Sequence, residues 1–215
     1  MITAVIFDMD GIIIDSEPLQ MIAINQVMAQ WNVKLSVQEF QKMIGRKLAD
    51  DFADMKQQYQ IPIDYLTFAK QKREAYHSIL EQNLIEMPGL SPLLSRLLNA
   101  KYRLAVASSS VRADVNMVLD GLNITEKFAV VTSGDEVEEG KPNPALFLLA
   151  AKRLNVPVTQ CVAIEDSNPG LRAAKDAGMK CIVVPHQHTR HQDFSRAHII
   201  VDSLDDITID LIRRL

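Results

Sequence analysis

At four separated places in this chain an apolar run gives way to residues that could do chemistry. Asp8 and Asp10 follow "TAVIF", Ser108 and Ser109 follow "RLAVA", Lys141 stands in "EGKPNP", and Glu165 with Asp166 follows "CVAI". Four carboxylates, hydroxyls and one ammonium are the inventory of a magnesium and phosphate site. Carboxylate oxygens suit a hard dication, and Mg²⁺ commonly takes one or two of them together with substrate phosphate and water. Lysine, serine and backbone amides of a turn suit phosphate oxygens. On local sequence alone, Asp8 and Asp10 read more readily as a turn and helix-cap pair. It is the set of four segments, taken together, that favours catalysis.

The elements that must position these residues are legible in the same runs. "TAVIFD" is a short continuous apolar stretch of the kind found in central parallel strands, and similar stretches recur at Arg103 to Ser108, Phe128 to Ser133, Cys161 to Asp166, Cys181 to Pro185 and His198 to Ser203. Amphipathic segments lie between them at Leu90 to Ala100, Arg112 to Leu122, Ala145 to Leu154 and Pro169 to Ala177. This alternation predicts an α/β fold with a Rossmann-like, mainly parallel sheet covered on both faces. In such sheets ligands bind beyond the carboxyl ends of the strands, where the candidate residues fall. Helix-end signals agree: Ser110 is placed to cap the helix after it, Pro144 and Pro169 suit first-turn positions, and Gly178 suits the residue past a helix end.

From about Glu17 to Gln82 the apolar residues recur at helical spacing with little β-branched clustering. Three or four helices are expected there, as an all-helical unit inserted after the first strand. The predicted division is 1–15 with 85–215 as the α/β core and 16–84 as the helical insert. Linkers near Asp15 to Glu17 and Asn83 to Gly89 are expected to serve as hinges for closure over a substrate. Trp31 reads as core of the insert.

Charge and composition exclude several classes. The 215 residues carry 23 basic against 27 acidic side chains, a formal charge of −4, with no long run of like charge. Nucleic acid is therefore not an expected partner, since that binding rests on clustered Lys and Arg. No apolar run approaches the roughly 18 residues of a membrane span, and the N-terminus lacks a basic region before its hydrophobic stretch, so a cytoplasmic protein without membrane partners is expected. Cys161 and Cys181 both lie in apolar segments and read as strand core.

The motifs "DMDG", "ASSS", "GKPNP" and "EDSNPG" appear in the order and at the separations found in the haloacid dehalogenase superfamily. The chain resembles the branch of that superfamily containing β-phosphoglucomutase and small sugar-phosphate phosphatases, with a helical cap between the first two core motifs. The resemblance implies Mg²⁺ as cofactor, held by Asp8, Asp10, Glu165 and Asp166. It implies that Asp8 attacks phosphorus to form an aspartyl-phosphate, and that Asp10 protonates the departing alcohol and then deprotonates the hydrolytic water. Ser108, the Ser109 amide and Lys141 would bind the phosphoryl group. Asp15 and Asp135 are expected in structural roles, at the turn into the insert and as a loop anchor. The tract "HQHTRH", His186 to His191, reads as a solvated loop.

Reaction class is less determined than family. β-Phosphoglucomutase has a histidine five places after the motif's third aspartate, where this chain has Gln20. Gln20, Arg46, Lys47 and Lys72 are the candidate substrate contacts from the insert. The expected function is a Mg²⁺-dependent phosphatase acting on a small phosphorylated metabolite, a hexose or deoxyhexose monophosphate, working as a monomer or weak dimer. The alternatives are a β-phosphoglucomutase-like isomerase, a non-catalytic binding protein of the same fold, and a dehalogenase. The second aspartate of "DMD" and the "ED" pair speak against the last.

Overall fold

Apolar runs too short for helices become strands. The computed structural model describes residues 1–43 and 48–215. Among these, β1 (Ala4–Phe7), β2 (Arg103–Ala107), β3 (Val130–Thr132), β4 (Cys161–Glu165), β5 (Lys180–Val183) and β6 (Ile199–Ile200) form one sheet in the order β3-β2-β1-β4-β5-β6. Every pairing is parallel, and β1 is central, with Phe7 opposite Val106 of β2 on one side and Ile164 of β4 on the other. Strand order runs outward in both directions from β1, which makes its carboxyl end the switch point where such sheets open a crevice. The two weakest strand signals shrink: "FAVVTS" keeps three strand residues and "HIIVDS" two.

Both sheet faces are covered, as continuous apolar strands require. Ala4 and Ile6 share a buried cluster with Ala105, Ala107, Phe147 and Leu171, while Phe7, pointing the other way, meets the Phe128 ring edge-on at 5.8 Å. The α/β unit carries the helices α5 (Leu90–Asn99), α6 (Arg112–Gly121), α7 (Ala145–Leu154), α8 (Asn168–Asp176) and α9 (Ile209–Arg213), numbered after four in the insert. α5 buries Leu90, Leu93, Leu94 and Leu97, an i, i+3, i+4, i+7 stripe. Cys161 and Cys181 are free and fully buried in β4 and β5, and burial pushes both thiols up, Cys161 to about 11. Pro169 lies in the first turn of α8, and Gly178 follows that helix at φ +81°, as their types suggest. Pro144 instead precedes α7 as its cap residue, and Val111, not Ser110, stands at the N-cap of α6.

The chain divides into two compact units, one of Met1–Asp15 with Leu84–Leu215 and one of Ser16–Asn83. Within the first, the segments that leave for and return from the second are held together: Met87 N donates to Ile13 O at 2.8 Å, and Ile14 and Glu86 form an antiparallel bridge. The second unit contains α1 (Glu17–Met28), α2 (Val37–Gln41), α3 (Leu48–Tyr59) and α4 (Tyr65–Gln82). Phe52 of α3 packs on Phe68 and Tyr65 of α4, with ring centres 4.9 and 5.9 Å apart. Ser36 and Glu39 close a capping box at the start of α2, and the Ser36 hydrogen bonds hold the Glu39 carboxyl down to about 2. Trp31 ends a single turn, Ala29–Trp31, and is half-buried rather than core, because the chain reverses at Asn32 in a left-handed conformation. Among the described residues no helix is long and apolar enough to cross a membrane.

Candidate active site

The carboxyl end of the sheet delivers its polar residues on ladder hydrogen bonds that run one residue past the strands. Asp8 N donates to Ile164 O at 3.0 Å, and Ser108 N to Thr132 O at 3.1 Å. After Asp8 the chain turns tightly, with Met9 O accepting from Ile13 N at 2.7 Å and Gly11 N donating to Ile14 O at 2.8 Å. Gly11 makes this turn at φ +77°, where a Cβ would stand 2.6 Å from Asp166 Oδ2. No larger residue fits there without displacing that carboxylate.

Lys141 joins two of these segments. Its ammonium donates to Asp8 Oδ1 and to Glu165 Oε1, each at 2.6 Å, and stands 5.0 Å from the centre of the Phe147 ring. Only 6% of the lysine side chain is exposed. Burial alone would push the ammonium down, but the charges of Asp8 and Glu165 reverse the sign and raise it. Glu165 is fully buried, and its second oxygen, Oε2, accepts from Asp166 N, Ser167 N and Ser167 Oγ at 3.2, 3.4 and 3.1 Å. Burial pushes its carboxyl up, Lys141 pulls it back, and Asp8 and Asp166 push it up again. A Cβ on Gly170 would overlap this carboxylate at 1.9 Å, so the first turn of α8 closes over Glu165 with room only for glycine.

Asp166 completes the group. Ligand oxygens of Asp8, Glu165 and Asp166 all lie within 4.8 Å of one another. Burial, then the charge of Asp8, raises the Asp166 carboxyl well above the usual range. Burial and the crowding of three carboxyl groups on one ammonium are what push Glu165 and Asp166 up, and an all-oxygen donor set of this kind fits a hard dication. The Asp10 side chain is not in this group, although the sequence reading counted it as a metal ligand. Its Oδ2 instead accepts from Ser110 Oγ at 3.2 Å.

That bond corrects the reading of Ser110 as a helix cap. With Val111 at the N-cap of α6, the start of the helix is anchored from outside, by Arg112 N donating to Asp135 Oδ1 at 3.0 Å. Asp135 thus takes the anchoring role expected of it. Ser108 is fully buried, and its Oγ accepts from Ser110 N at 3.1 Å, which shapes the loop presenting Ser109. Gly134 backs this loop so closely that a Cβ would meet Ser109 O at 2.1 Å.

The structure therefore gathers Asp8, Lys141, Glu165 and Asp166 into one bonded group, with Ser108 and Asp10 linked through Ser110. In the helical unit, Lys72 Nζ of α4 donates to Gln20 Oε1 of α1, and Lys72 stands 5.5 Å from the Tyr76 ring centre. Arg46 and Lys47 lie outside the described residues. Two participants escaped the sequence reading. Ser110 was assigned to the wrong partner, and His186, expected in a solvated loop, places Nε2 2.8 Å from Asp166 Oδ2 with 14% of its side chain exposed. The available signal for His186 was the histidine-rich tract that follows a strand ending at the site.

A sequence model described as haloacid dehalogenase-like hydrolase matches residues 5–184. Protein CbbY of Cereibacter sphaeroides is 32% identical over 217 residues, covering 96% of this chain and 94% of its own. A phosphorylated carbohydrates phosphatase of Thermotoga maritima is 31% identical over 83% of each chain. The crystal structure of CbbY from Rhodobacter sphaeroides in complex with phosphate superposes with a TM-score of 0.87 at 30% identity, covering 99% of this chain and 100% of that one.

Proposed function

The chain belongs to the haloacid dehalogenase-like hydrolase family, and from that premise we propose that it is a Mg²⁺-dependent phosphatase of a sugar monophosphate, a hexose or deoxyhexose phosphate. The observation that carries the reading is the Lys141 ammonium bonded at once to Asp8 and Glu165, beside Asp166. A carboxylate is a weak nucleophile toward a phosphate dianion, because like charges repel. Lys141 lowers that repulsion and holds the Asp8 carboxylate in one orientation for attack on phosphorus. The P–O bond to the sugar breaks as Asp8 forms the acyl phosphate, and Asp10 gives its proton to the leaving oxygen. Asp10 then takes a proton from the water that hydrolyses the acyl phosphate, releasing phosphate and restoring Asp8.

Ser110 aims the Asp10 carboxylate. Ser108 Oγ and the Ser109 amide are the assigned donors to the transferring group. Asp8 and Asp166, with Glu165 in the same oxygen group, are the residues that would hold Mg²⁺. Glu165, with Oε2 committed to Asp166 N and Ser167, fixes Lys141. Mg²⁺ held there would supply positive charge against the phosphoryl group. Gln20 and Lys72 are the assigned substrate contacts of the helical unit. Support for a sugar phosphate comes from the Thermotoga relative, a phosphorylated carbohydrates phosphatase, and support for a phosphate ligand from the phosphate complex of CbbY.

The test is phosphate release from a panel of sugar phosphates with Mg²⁺, beside a coupled assay for conversion of β-glucose 1-phosphate to glucose 6-phosphate in the presence of a bisphosphate. Release that disappears, by at least about 10³-fold, in Asp8→Asn supports the reading. Isomerisation with little free phosphate would replace the phosphatase by a mutase.

A further inference from the structure

After β5 the chain returns to the site at His186, and its hydrogen bonds show which ring nitrogen accepts and which faces Asp166. Nδ1 accepts a hydrogen bond from the backbone N–H of His188 at 3.3 Å. A ring nitrogen that accepts carries no proton, so in the neutral ring the proton sits on Nε2, which faces Asp166 Oδ2 at 2.8 Å. The ring is held in place from its own backbone: His186 N donates to Thr189 Oγ1 at 3.2 Å, His186 O accepts from Thr189 N at 3.0 Å, and Thr189 is buried. Close by stands Gly11, whose added Cβ would come within 2.8 Å of His186 Nε2 as well as 2.6 Å of Asp166 Oδ2. Imidazole, carboxylate and turn are thus packed into contact.

We infer that His186 is a positioning residue for Asp166, donating Nε2–H to one carboxylate oxygen and so leaving the other for the dication. An imidazole with its proton on Nε2 has no lone pair there, so His186 is a donor to a ligand and not itself a ligand. Carboxylates that bind metals are oriented by such outer hydrogen bonds, whose loss weakens metal affinity by about 10- to 100-fold. The inference rests on the Mg²⁺ reading above and adds a residue that the DxD, Ser, Lys and Glu-Asp motifs do not include.

Mg²⁺ binding is measured by calorimetry, without substrate, on the wild type, His186→Ala, His186→Phe and His186→Gln. The expected result is an affinity about tenfold or more weaker in the Ala and Phe variants, with most of it recovered in the Gln variant, whose amide N–H can reach the same oxygen. The Phe variant keeps the ring volume, so loss in Ala alone would mean packing and overturn the inference. Equal affinity in all four proteins also overturns it while leaving the Mg²⁺ reading intact, whereas a wild type that takes up no Mg²⁺ overturns both. As a second readout, Mn²⁺ bound to the wild type should show no ¹⁴N coupling in its magnetic resonance spectrum. A resolved coupling makes His186 a direct ligand and refutes the positioning role.

Discussion

Polar side chains gather in both units, but they are held in different ways. At the end of the sheet, Glu165 accepts from Lys141, Asp166 N, Ser167 N and Ser167 Oγ while wholly buried, and it is itself the last residue of β4. In the helical unit, Gln20 and Lys72 meet across two helices, each partly open to solvent. Water screens charges of the second kind and leaves their rotamers freer, so each such contact is worth little and adapts easily. Charges of the first kind are fixed by several bonds each, which reacting groups need if they are to stay within a fraction of an ångström of their working geometry. The contrast separates a rigid group, each member fixed by several bonds, at the sheet end from an adaptable polar pair within the helices.

Removing the lysine should expose the contrast most strongly. Lys141→Ala leaves Asp8 and Glu165 buried without their cation, and breaking a buried pair in this way costs about 3–5 kcal/mol. Denaturant unfolding should report that loss together with near-complete loss of phosphate release, and a stability unchanged from wild type would show the cluster to be solvated. Next in size is Gly170→Ala, where the new methyl overlaps the Glu165 carboxylate; overpacking of this kind costs about 1–3 kcal/mol and should lower the thermal midpoint and turnover together. Lys72→Ala, by contrast, should leave the thermal midpoint within about 0.5 kcal/mol of wild type in stability. Its effect should appear as a KM change of about tenfold or less, differing between sugars. A fall in kcat for every substrate alike would move Lys72 into the chemistry and erase the distinction.

The smallest effect concerns pH. Glu136, beside the loop before Lys141, is hydrogen-bonded by Arg153 and capped into Ser133, which lowers its carboxyl from 4.5 to about 2. A group whose folded pKa is depressed contributes stability above its unfolded value and loses it as pH falls toward the folded one. Thermal midpoints of the wild type should therefore decline between about pH 4.5 and 2, and Glu136→Gln should show a shallower decline over that window. Parallel curves would mean that the Arg153 pair is screened to insignificance. Glu39 is lowered to about 2 by its own capping box in the helical unit and titrates in the same range, so the variant flattens the curve without abolishing the decline.

What was legible in the sequence follows from how each element is buried. Central strands of a parallel sheet are apolar on both faces, so β1, β2, β4 and β5 stand out as runs, and α7 falls at Ala145–Leu154 as its periodicity predicts. β6 keeps only Ile199–Ile200, where one residue is half-buried and the other exposed, so its run signalled burial that the sheet edge does not provide. The catalytic candidates were readable because strand ends and motif order coincide. Ser110 and His186 were not, because each finds its partner across the fold: Ser110 meets Asp10 a hundred residues away, while its local neighbours suggested a cap. Composition marks "HQHTRH" as polar but does not say that the turn after β5 aims its first histidine back at Asp166.

The bridge between Ile14 and Glu86, with Met87 N bonded to Ile13 O, has a consequence for modularity. The chain leaves the sheet unit and re-enters it through paired neighbouring segments, so to that unit everything from Ser16 to Asn83 is the loop of a hairpin. Lengthening such a loop costs only a logarithmic entropy term, about 0.6 kcal/mol per doubling. The two stem pairings thus fix where the insert leaves and re-enters the sheet unit, and its length enters that unit's closure only through the logarithmic term.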